Sequence, residues 1–260
     1  YFAAFRIPDF FFQLVVVGAL SASFIPLFTK YYGKKKNKKS WALTSNMLNM
    51  MAIVFGLITV VTIALAPFLA PVIAPGFDAA KQASVVDLTR IMLIAQLLLA
   101  CSMVFGSVLQ GAKHFVLYSL APIFYNVGII TGAVVFVPMI GLTGLAWGVV
   151  FGAFLHLLIQ AIGVFTLGYS YRPTLDFKNS DARYVFKHMG PRVLGLAVNQ
   201  INFVVMTMIA SLLAVGSVTM LQFAYNLNFF PIGVIGVSYA IAAFPSFCEQ
   251  YNKLNKTGFI

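Results

Sequence analysis

Three polar residues near the start of the chain have types and spacing that could bind an ion inside a membrane. Arg6 and Asp9 are three residues apart and Gln13 follows after four more, so all three share one face of a helix. Ionisable side chains in an apolar helix usually face the interior of a helix bundle and mark a pathway. The same spacing also allows Arg6 and Asp9 simply to pair with each other near the membrane interface, and both interpretations stay open.

Amide side chains are the second candidate group, because they recur inside apolar stretches. These positions are Gln96, Gln110, Asn126, Gln160, Asn199, Gln200, Asn202, Gln222, Asn226 and Asn228. Amides in membrane helices often only join neighbouring helices. The runs 199–202 and 226–228 are denser than that role requires, and they predict a polar cavity. The expected cavity-lining residues are Gln13, Asn126, Gln200, Asn202, Asn226 and Asn228.

The residues expected of an enzyme are missing from this list. The chain has six acidic residues, three histidines and two cysteines, with no nucleophile–base grouping and no metal-ligand spacing in the predicted spans. His156 is the lone histidine of an apolar run and is predicted to be a packing residue. We therefore expect no catalytic site, no metal and no cofactor, although an ion gradient or the membrane potential could drive a transport step.

The elements that carry these residues are predicted by the distribution of charge. Four long stretches contain no Asp, Glu, Lys or Arg: Ser40–Phe77, Ile91–Ala112, His114–Tyr171 and Val193–Cys248. Charged residues make up 9% of the chain, against about 25% in soluble globular proteins. A membrane-spanning helix needs about 20 apolar residues. The sequence therefore predicts an all-α, polytopic membrane protein.

We count about seven spans, beginning with Phe10–Thr29. The two longest charge-free stretches each break once, at the turns Pro138–Gly144 and Val215–Ser217. The stretch Ser40–Phe77 could be a hairpin or one helix with a proline-rich exit, from about Trp41 to Leu69. The single helix places most of the 17 Lys and Arg residues on one side of the membrane. The positive-inside rule then favours the single helix and makes that side cytoplasmic.

The net charge of +11 does not indicate nucleic-acid binding. Basic residues concentrate in the segments Lys30–Lys39 and Arg172–Arg192, which join predicted spans. Such juxtamembrane positions are attracted by anionic lipid headgroups. We therefore expect membrane lipids as partners of these loops.

Two lobes are predicted from the order of the spans. Residues 1–172 form the first lobe and residues 191–260 begin the second. Residues 173–190 form a cytoplasmic linker in which Arg183–His188 resembles a short amphipathic helix on the membrane surface. Asp9–Phe28 can be aligned with Asn228–Phe247, six helices later in the same direction, which predicts a two-lobe fold of six plus six helices. The chain also starts at Tyr1 in an outward-facing position, so we expect a fragment that lacks the first helix of its lobe.

Several motifs resemble the MurJ/MviN family of lipid II flippases, over essentially the whole chain. They include Ala4–Pro8, Gly18–Pro26, Ala74–Phe77, Gly106–Phe115, Ala121–Asn126, Met189–Pro191 and Gln200–Asn202. Gly216–Ser217, Ala224–Tyr225 and Phe230–Pro231 continue the match into the second lobe.

The resemblance implies an exporter that works by alternating access and carries a polyprenyl-diphosphate-linked glycan lipid. It implies a diphosphate contact at Arg6, and cell-wall synthesis machinery as a further partner. The chain departs from the family where Phe12, Gln13 and Asn226 stand at positions that often carry arginine. Two alternatives stay open: an exporter of the same superfamily for drugs or other polyprenyl-linked glycans, and a non-transporting membrane scaffold of the division machinery.

Overall fold

The structure, a computed structural model, describes residues 1–14, 24–32, 37–237 and 239, and its regular elements there are all helical. Within these residues the helices are α1 (Phe2–Phe12), α2 (Ile25–Tyr31), α3 (Asn37–Ile73), α4 (Ala79–Gly111), α5 (Phe115–Thr131), α6 (Val137–Ile140), α7 (Thr143–Thr166), α8 (Ser180–Ser211) and α9 (Ser217–Pro231). Two π-helical segments, Gly132–Phe136 and Ile232–Val237, continue α5 and α9. The predicted all-α class is confirmed for the described part of the chain.

Six helices among the described residues are long and apolar enough to cross a membrane. They are Lys38–Ile73, Ala79–Gly111, Phe115–Ile140, Thr143–Thr166, Val193–Ser211 and Ser217–Gly236. The first predicted span, Phe10–Thr29, falls partly on residues 15–23, which lie outside the described residues. Large apolar side chains on the outer faces are open to the surroundings, with Phe68 74% and Val116 75% exposed. Exposed apolar surface of this extent fits contact with lipid, and the polytopic membrane fold is confirmed.

The stretch without charge after Ser40 forms one helix, as the charge distribution predicted. This helix, α3, runs from Asn37 to Ile73 and contains Pro67 and Pro71 instead of ending before them. At about 1.5 Å per residue it is about 55 Å long, well above the ~30 Å of a hydrocarbon core. It therefore extends past the apolar layer at one or both ends.

Helix α4 lies at the centre of the first part of the molecule and packs against α1, α2, α3, α5 and α7. Near its C-terminal end it joins an aromatic cluster that includes Phe28, Trp41 and Tyr169. Near its N-terminal half it packs against small residues, among them Ala3 and Ala4 of α1. Small side chains let α1 approach α4 closely, and this contact positions the polar residues of α1.

Helices α5 and α7 meet through glycines spaced four residues apart. A Cβ atom on Gly128 would overlap the backbone of Gly152, and one on Gly148 would overlap the backbone of Gly132. Small residues repeated at this spacing allow two membrane helices to pack backbone against backbone. The turn between α6 and α7 contains Gly141 at φ +70°, which confirms the turn predicted between the two spans.

The loop between α7 and α8, residues 169–179, is held on α3 by amide side chains that bind its backbone. The Asn46 amide donates to the Asp176 carbonyl oxygen at 3.1 Å and accepts from the Asp176 N–H at 2.7 Å. The Asn49 amide donates to the Thr174 carbonyl oxygen at 2.8 Å. Because buried or half-buried backbone groups need partners, these bonds give an irregular segment a defined path.

Helix α8 is tied to neighbouring helices at its start. Asn179 caps it by accepting a hydrogen bond from the Asp181 N–H at 2.9 Å. The Asp181 carboxylate accepts from the Tyr31 hydroxyl at 3.1 Å and pairs with Lys39 at 3.5 Å. Residues 183–188 were predicted to form a separate short helix, and this is wrong: α8 continues through them without a break.

The far end of α8 lies against the turn between α3 and α4. The Gly76 N–H donates to the Ser211 hydroxyl at 3.2 Å, and a Cβ on Gly76 would overlap the Ser211 carbonyl group. Only glycine allows this approach. Contacts at both ends therefore hold α8 against the helices that precede it.

The chain divides into two compact units, Tyr1–Leu212 and Leu213–Ile260. Helix α8 belongs to the first unit, where it packs on α1 and α3. The second unit contains α9, which begins after Gly216 at φ +96°, at the turn that was predicted there. The lobe boundaries near residues 172 and 191 stay predictions, as does the repeat with Asn228–Phe247, of which residues 238 and 240–247 lie outside the described residues.

Candidate functional site

Arg6 lies on α1 with its side chain directed at α8. The Arg6 Nε–H donates to the Thr207 hydroxyl at 2.8 Å, and the guanidinium carbon is 5.4 Å from the centre of the Phe203 ring. Phe203 and Thr207 are one turn apart, so they present a single surface to α1. The Thr207 hydroxyl also donates to the Phe203 carbonyl oxygen at 2.8 Å, which fixes its orientation. The cation is thus held in a defined place within an apolar region.

Asp9 lies one turn further along α1 and meets α4. The Gln96 amide donates to an Asp9 carboxylate oxygen at 3.3 Å. Gln96 is almost completely buried, at 3% exposure, and its side-chain oxygen has no hydrogen-bond partner among the described residues. Gln13, the last of the three predicted polar residues, is half-buried at the end of α1. The helix face predicted from spacing is therefore present, and it points between α4 and α8.

The amides of α8 divide into two groups. Gln200 is half-buried and shares the face of Phe203 and Thr207, because seven residues make almost two full turns. Asn199 and Asn202 are exposed, and Asn202 lies on a different face from Thr207. The structure thus brings Gln200, and not Asn202, to the side of α8 that meets Arg6.

The remaining predicted residues lie on α5 and α9. Asn126 is exposed on α5, where its amide donates to the carbonyl oxygen of Pro122 at 2.9 Å. Asn226 and Asn228 are exposed on α9 in the second unit, and the Gln222 amide donates to Asn226 at 2.9 Å. The cavity expected between the two lobes stays a prediction.

The sequence did not single out the residues that contact Arg6 and Asp9. These residues are Thr207, Phe203 and Gln96. Gln96 was noted only as one of many intramembrane amides. Thr207 and Phe203 carry no charge and no spacing relation to Arg6, which lies far away along the chain. Only the packing of α8 on α1 assigns them a role.

The described residues contain no group of three or more His, Cys, Asp and Glu side chains that could hold a metal ion. His156 is buried on α7 with a ring nitrogen 2.7 Å from the Ser102 hydroxyl, and its ring packs edge-on against Tyr125. The interpretation of His156 as a packing residue with a satisfied hydrogen bond is confirmed. The side chains around Arg6 can hold an anion beside its guanidinium group.

Comparison with known proteins shows the family to which the chain belongs. A family model described as "Lipid II flippase MurJ" matches residues 1–259. The "Probable lipid II flippase MurJ" of Buchnera aphidicola subsp. Acyrthosiphon pisum is 29% identical over 255 residues, covering 96% of this chain and 50% of the relative. The "Lipid II flippase MurJ" of Burkholderia cenocepacia is 28% identical over 259 residues, covering 96% and 50%. A relative from Rhizobium tropici is 30% identical over 258 residues, covering 96% and 48%. The chain spans about half the length of the curated relatives it matches.

Proposed function

Because the chain belongs to the lipid II flippase MurJ family, we propose that it forms part of a transporter of lipid II, the polyprenyl-diphosphate-linked precursor of peptidoglycan. It would act in the bacterial inner membrane with its Lys- and Arg-rich loops in the cytoplasm. Transport by alternating access would move the lipid without chemical change. An ion gradient or the membrane potential would supply the driving force.

The position of Arg6 is the observation that supports this proposal most directly. A diphosphate inside an apolar environment needs a positive charge to compensate it. Arg6 is the cation of α1, and contacts from α8 hold it on the helix face that also carries Asp9. We assign Arg6 to the diphosphate and Gln13 and Gln200 to its polar surroundings.

The other predicted amides would contribute where the two lobes face each other. Asn126, Asn202, Asn226 and Asn228 are exposed in the described structure and could hydrogen-bond the glycan or diphosphate of the lipid. At Asn226, where members of the family often carry arginine, a neutral amide would bind by hydrogen bonds alone. Proteins of the cell-wall synthesis machinery would receive the lipid after transport.

The test is growth of a cell depleted of its own lipid II flippase and supplied with the complete gene product. Arg6→Ala should abolish growth while the protein still accumulates in the membrane, because the diphosphate loses its compensating charge. Arg6→Lys should restore part of the activity, since it keeps the charge but not the fork of donors.

Arg90→Ala provides the matched control. Arg90 is also an arginine of the first unit, but its Nε–H only donates to the Ile63 carbonyl oxygen at 3.4 Å, near the exposed Asp87. Growth with this variant should equal that of the wild type. Normal growth of the Arg6→Ala strain would remove Arg6 from the proposed mechanism.

A further inference from the structure

The Asp9–Gln96 pair has a hydrogen-bonding pattern that is incomplete in one protonation state. When Asp9 is ionised, its carboxylate accepts from the Gln96 amide nitrogen, and the Gln96 oxygen has no partner among the described residues. A buried acceptor without a donor costs free energy. A protonated Asp9 carries an O–H donor on its second oxygen, which would donate to the Gln96 oxygen while the Gln96 amide nitrogen keeps its bond to the first carboxyl oxygen. Protonation of Asp9 would therefore supply the donor that the Gln96 oxygen lacks.

Few charged groups face this pair, so its protonation would be decided locally. Arg6 lies one turn away on the same helix, and the phenols of Tyr1 and Tyr125 interact electrostatically with Asp9. His156 of α7 packs against Tyr125. On α4, Arg90 and Asp87 lie more than one turn away and within 4.0 Å of each other. The apolar parts of α3 and α8 that face α1 contain no Asp, Glu, Lys or Arg.

A diphosphate at Arg6 would change the balance at Asp9. Residues three apart on a helix have Cβ atoms about 5–6 Å apart. An ionised Asp9 would then repel the diphosphate across a short distance in a medium of low dielectric constant. Neutralising Asp9 removes this repulsion, and Gln96 provides the acceptor for the resulting O–H group.

We propose that Asp9 takes up one proton when a lipid diphosphate binds at Arg6, so that the anion and the proton are carried together. This deepens the proposed function and rests on it. The proton comes from water on the side where the lipid binds, and it returns to water when the lipid leaves. Only the O–H bond of Asp9 forms and breaks. Gln96 is a positioning residue that stabilises the neutral carboxyl group.

Binding of undecaprenyl diphosphate to the detergent-solubilised complete protein tests the proposal, measured from about pH 6 to about pH 8. Binding to the wild type should weaken more steeply with rising pH than binding to Asp9→Asn, by up to about tenfold per pH unit, the limit for one linked proton. Using the same ligand for both proteins cancels the titration of the diphosphate itself. Asp87→Asn, which neutralises an exposed acid of α4, should keep the wild-type slope.

A second measurement gives its main result on the wild type, and this result does not depend on whether a variant folds. Infrared difference spectra of the wild type should show the carbonyl stretch of a protonated carboxyl group on addition of the lipid, and Asp9→Asn should lack it. Equal pH slopes in the wild type and Asp9→Asn, together with no such band, would overturn the inference. If Arg6→Ala instead binds as tightly as the wild type at every pH, the proposed function fails at its anion site. If Arg6→Ala loses binding but Asp9→Asn has the same dependence of binding on pH as the wild type, the proton uptake at Asp9 is overturned and the proposed function stands.

Discussion

Asn46 shows how one side chain can fix a loop. It uses both ends of its amide on the backbone of a single residue, Asp176. Because both partners are main-chain atoms of Asp176, the pairing does not depend on the side chain at that loop position. The path of residues 169–179, and hence the place where α8 begins, depends on this polar contact at the end of a largely apolar helix.

Replacing Asn46 by Ala should free this loop. Two hydrogen bonds would be lost and a half-buried N–H and carbonyl group left without partners, a cost of about 1–3 kcal/mol. Hydrogen exchange should become faster in residues 169–179, as measured by mass spectrometry in detergent. Asn126→Ala is the matched control, because its amide bonds only to a carbonyl of its own helix. Equal exchange in Asn46→Ala and the wild type would contradict this role.

Asp78 provides a prediction of pH dependence outside the membrane. Hydrogen bonds from the side chain and the backbone N–H of Lys81 hold the pKa of the Asp78 carboxyl below its usual value. A lowered pKa in the folded state means that the stabilisation is present above the unfolded pKa, about 3.9. It is lost as the pH falls through the folded pKa.

The start of α4 should therefore loosen in acid. Hydrogen exchange in its first turns should increase between neutral pH and about pH 3 more in the wild type than in Asp78→Asn. Asparagine still caps the helix but has no charge to lose. Comparing the two proteins at each pH cancels the intrinsic exchange rate, and identical acid responses would show that the carboxylate contributes nothing.

At the scale of elements, glycines make a backbone-to-backbone contact between α5 and α7 possible. It depends on the absence of side chains at Gly128, Gly132, Gly148 and Gly152. Gly148→Ala should destabilise the protein by about 1–3 kcal/mol, because the added methyl group must push two backbones apart. A lower melting temperature in detergent is the expected measurement.

Gly56→Ala serves as the control for helix propensity. A Cβ at Gly56 of α3 would meet no atom within 4 Å. Alanine favours a helix over glycine by about 1 kcal/mol, so this variant should melt at the same temperature as the wild type or slightly higher. A similar loss of stability in both variants would show that the glycines of α5 and α7 are not special.

Sequence reasoning succeeded for the elements whose cause is local and fell short where the cause is tertiary. The absence of charge after Ser40 and the position of nearby lysines were enough to predict one helix for α3. The prediction of a separate helix at 183–188 was wrong because these residues belong to α8. The start of α8 is fixed by tertiary contacts, in which Tyr31 of α2 and Lys39 of α3 bind Asp181. The face of Arg6 and Asp9 followed from helical spacing, but Thr207 and Gln96 come from other helices and no local pattern indicates them.

At the scale of the whole molecule, the predicted orientation in the membrane can be tested directly. Single cysteines introduced at Lys81 and at Lys178 would lie on opposite sides, in a background in which Cys101 and Cys248 are replaced by Ser. An impermeant thiol reagent added to intact spheroplasts should label the cysteine at 81 and not the one at 178. Labelling at 178 should appear once the membrane is permeabilised. The reverse pattern would invert the topology and place the basic loops outside.

The attachment of residues 169–179 to α3 also predicts which positions can vary among related sequences. Asn46 and Asn49 bind main-chain atoms of Asp176 and Thr174, and every amino acid at those two loop positions supplies the same carbonyl group. Among descendants of a common ancestor, positions 174 and 176 are thus free to vary, except for proline at 176, which has no N–H for Asn46, while asparagine at 46 and 49 is under selection. An alignment in which the loop residues are invariant and the two helix positions vary would show that the attachment works in some other way.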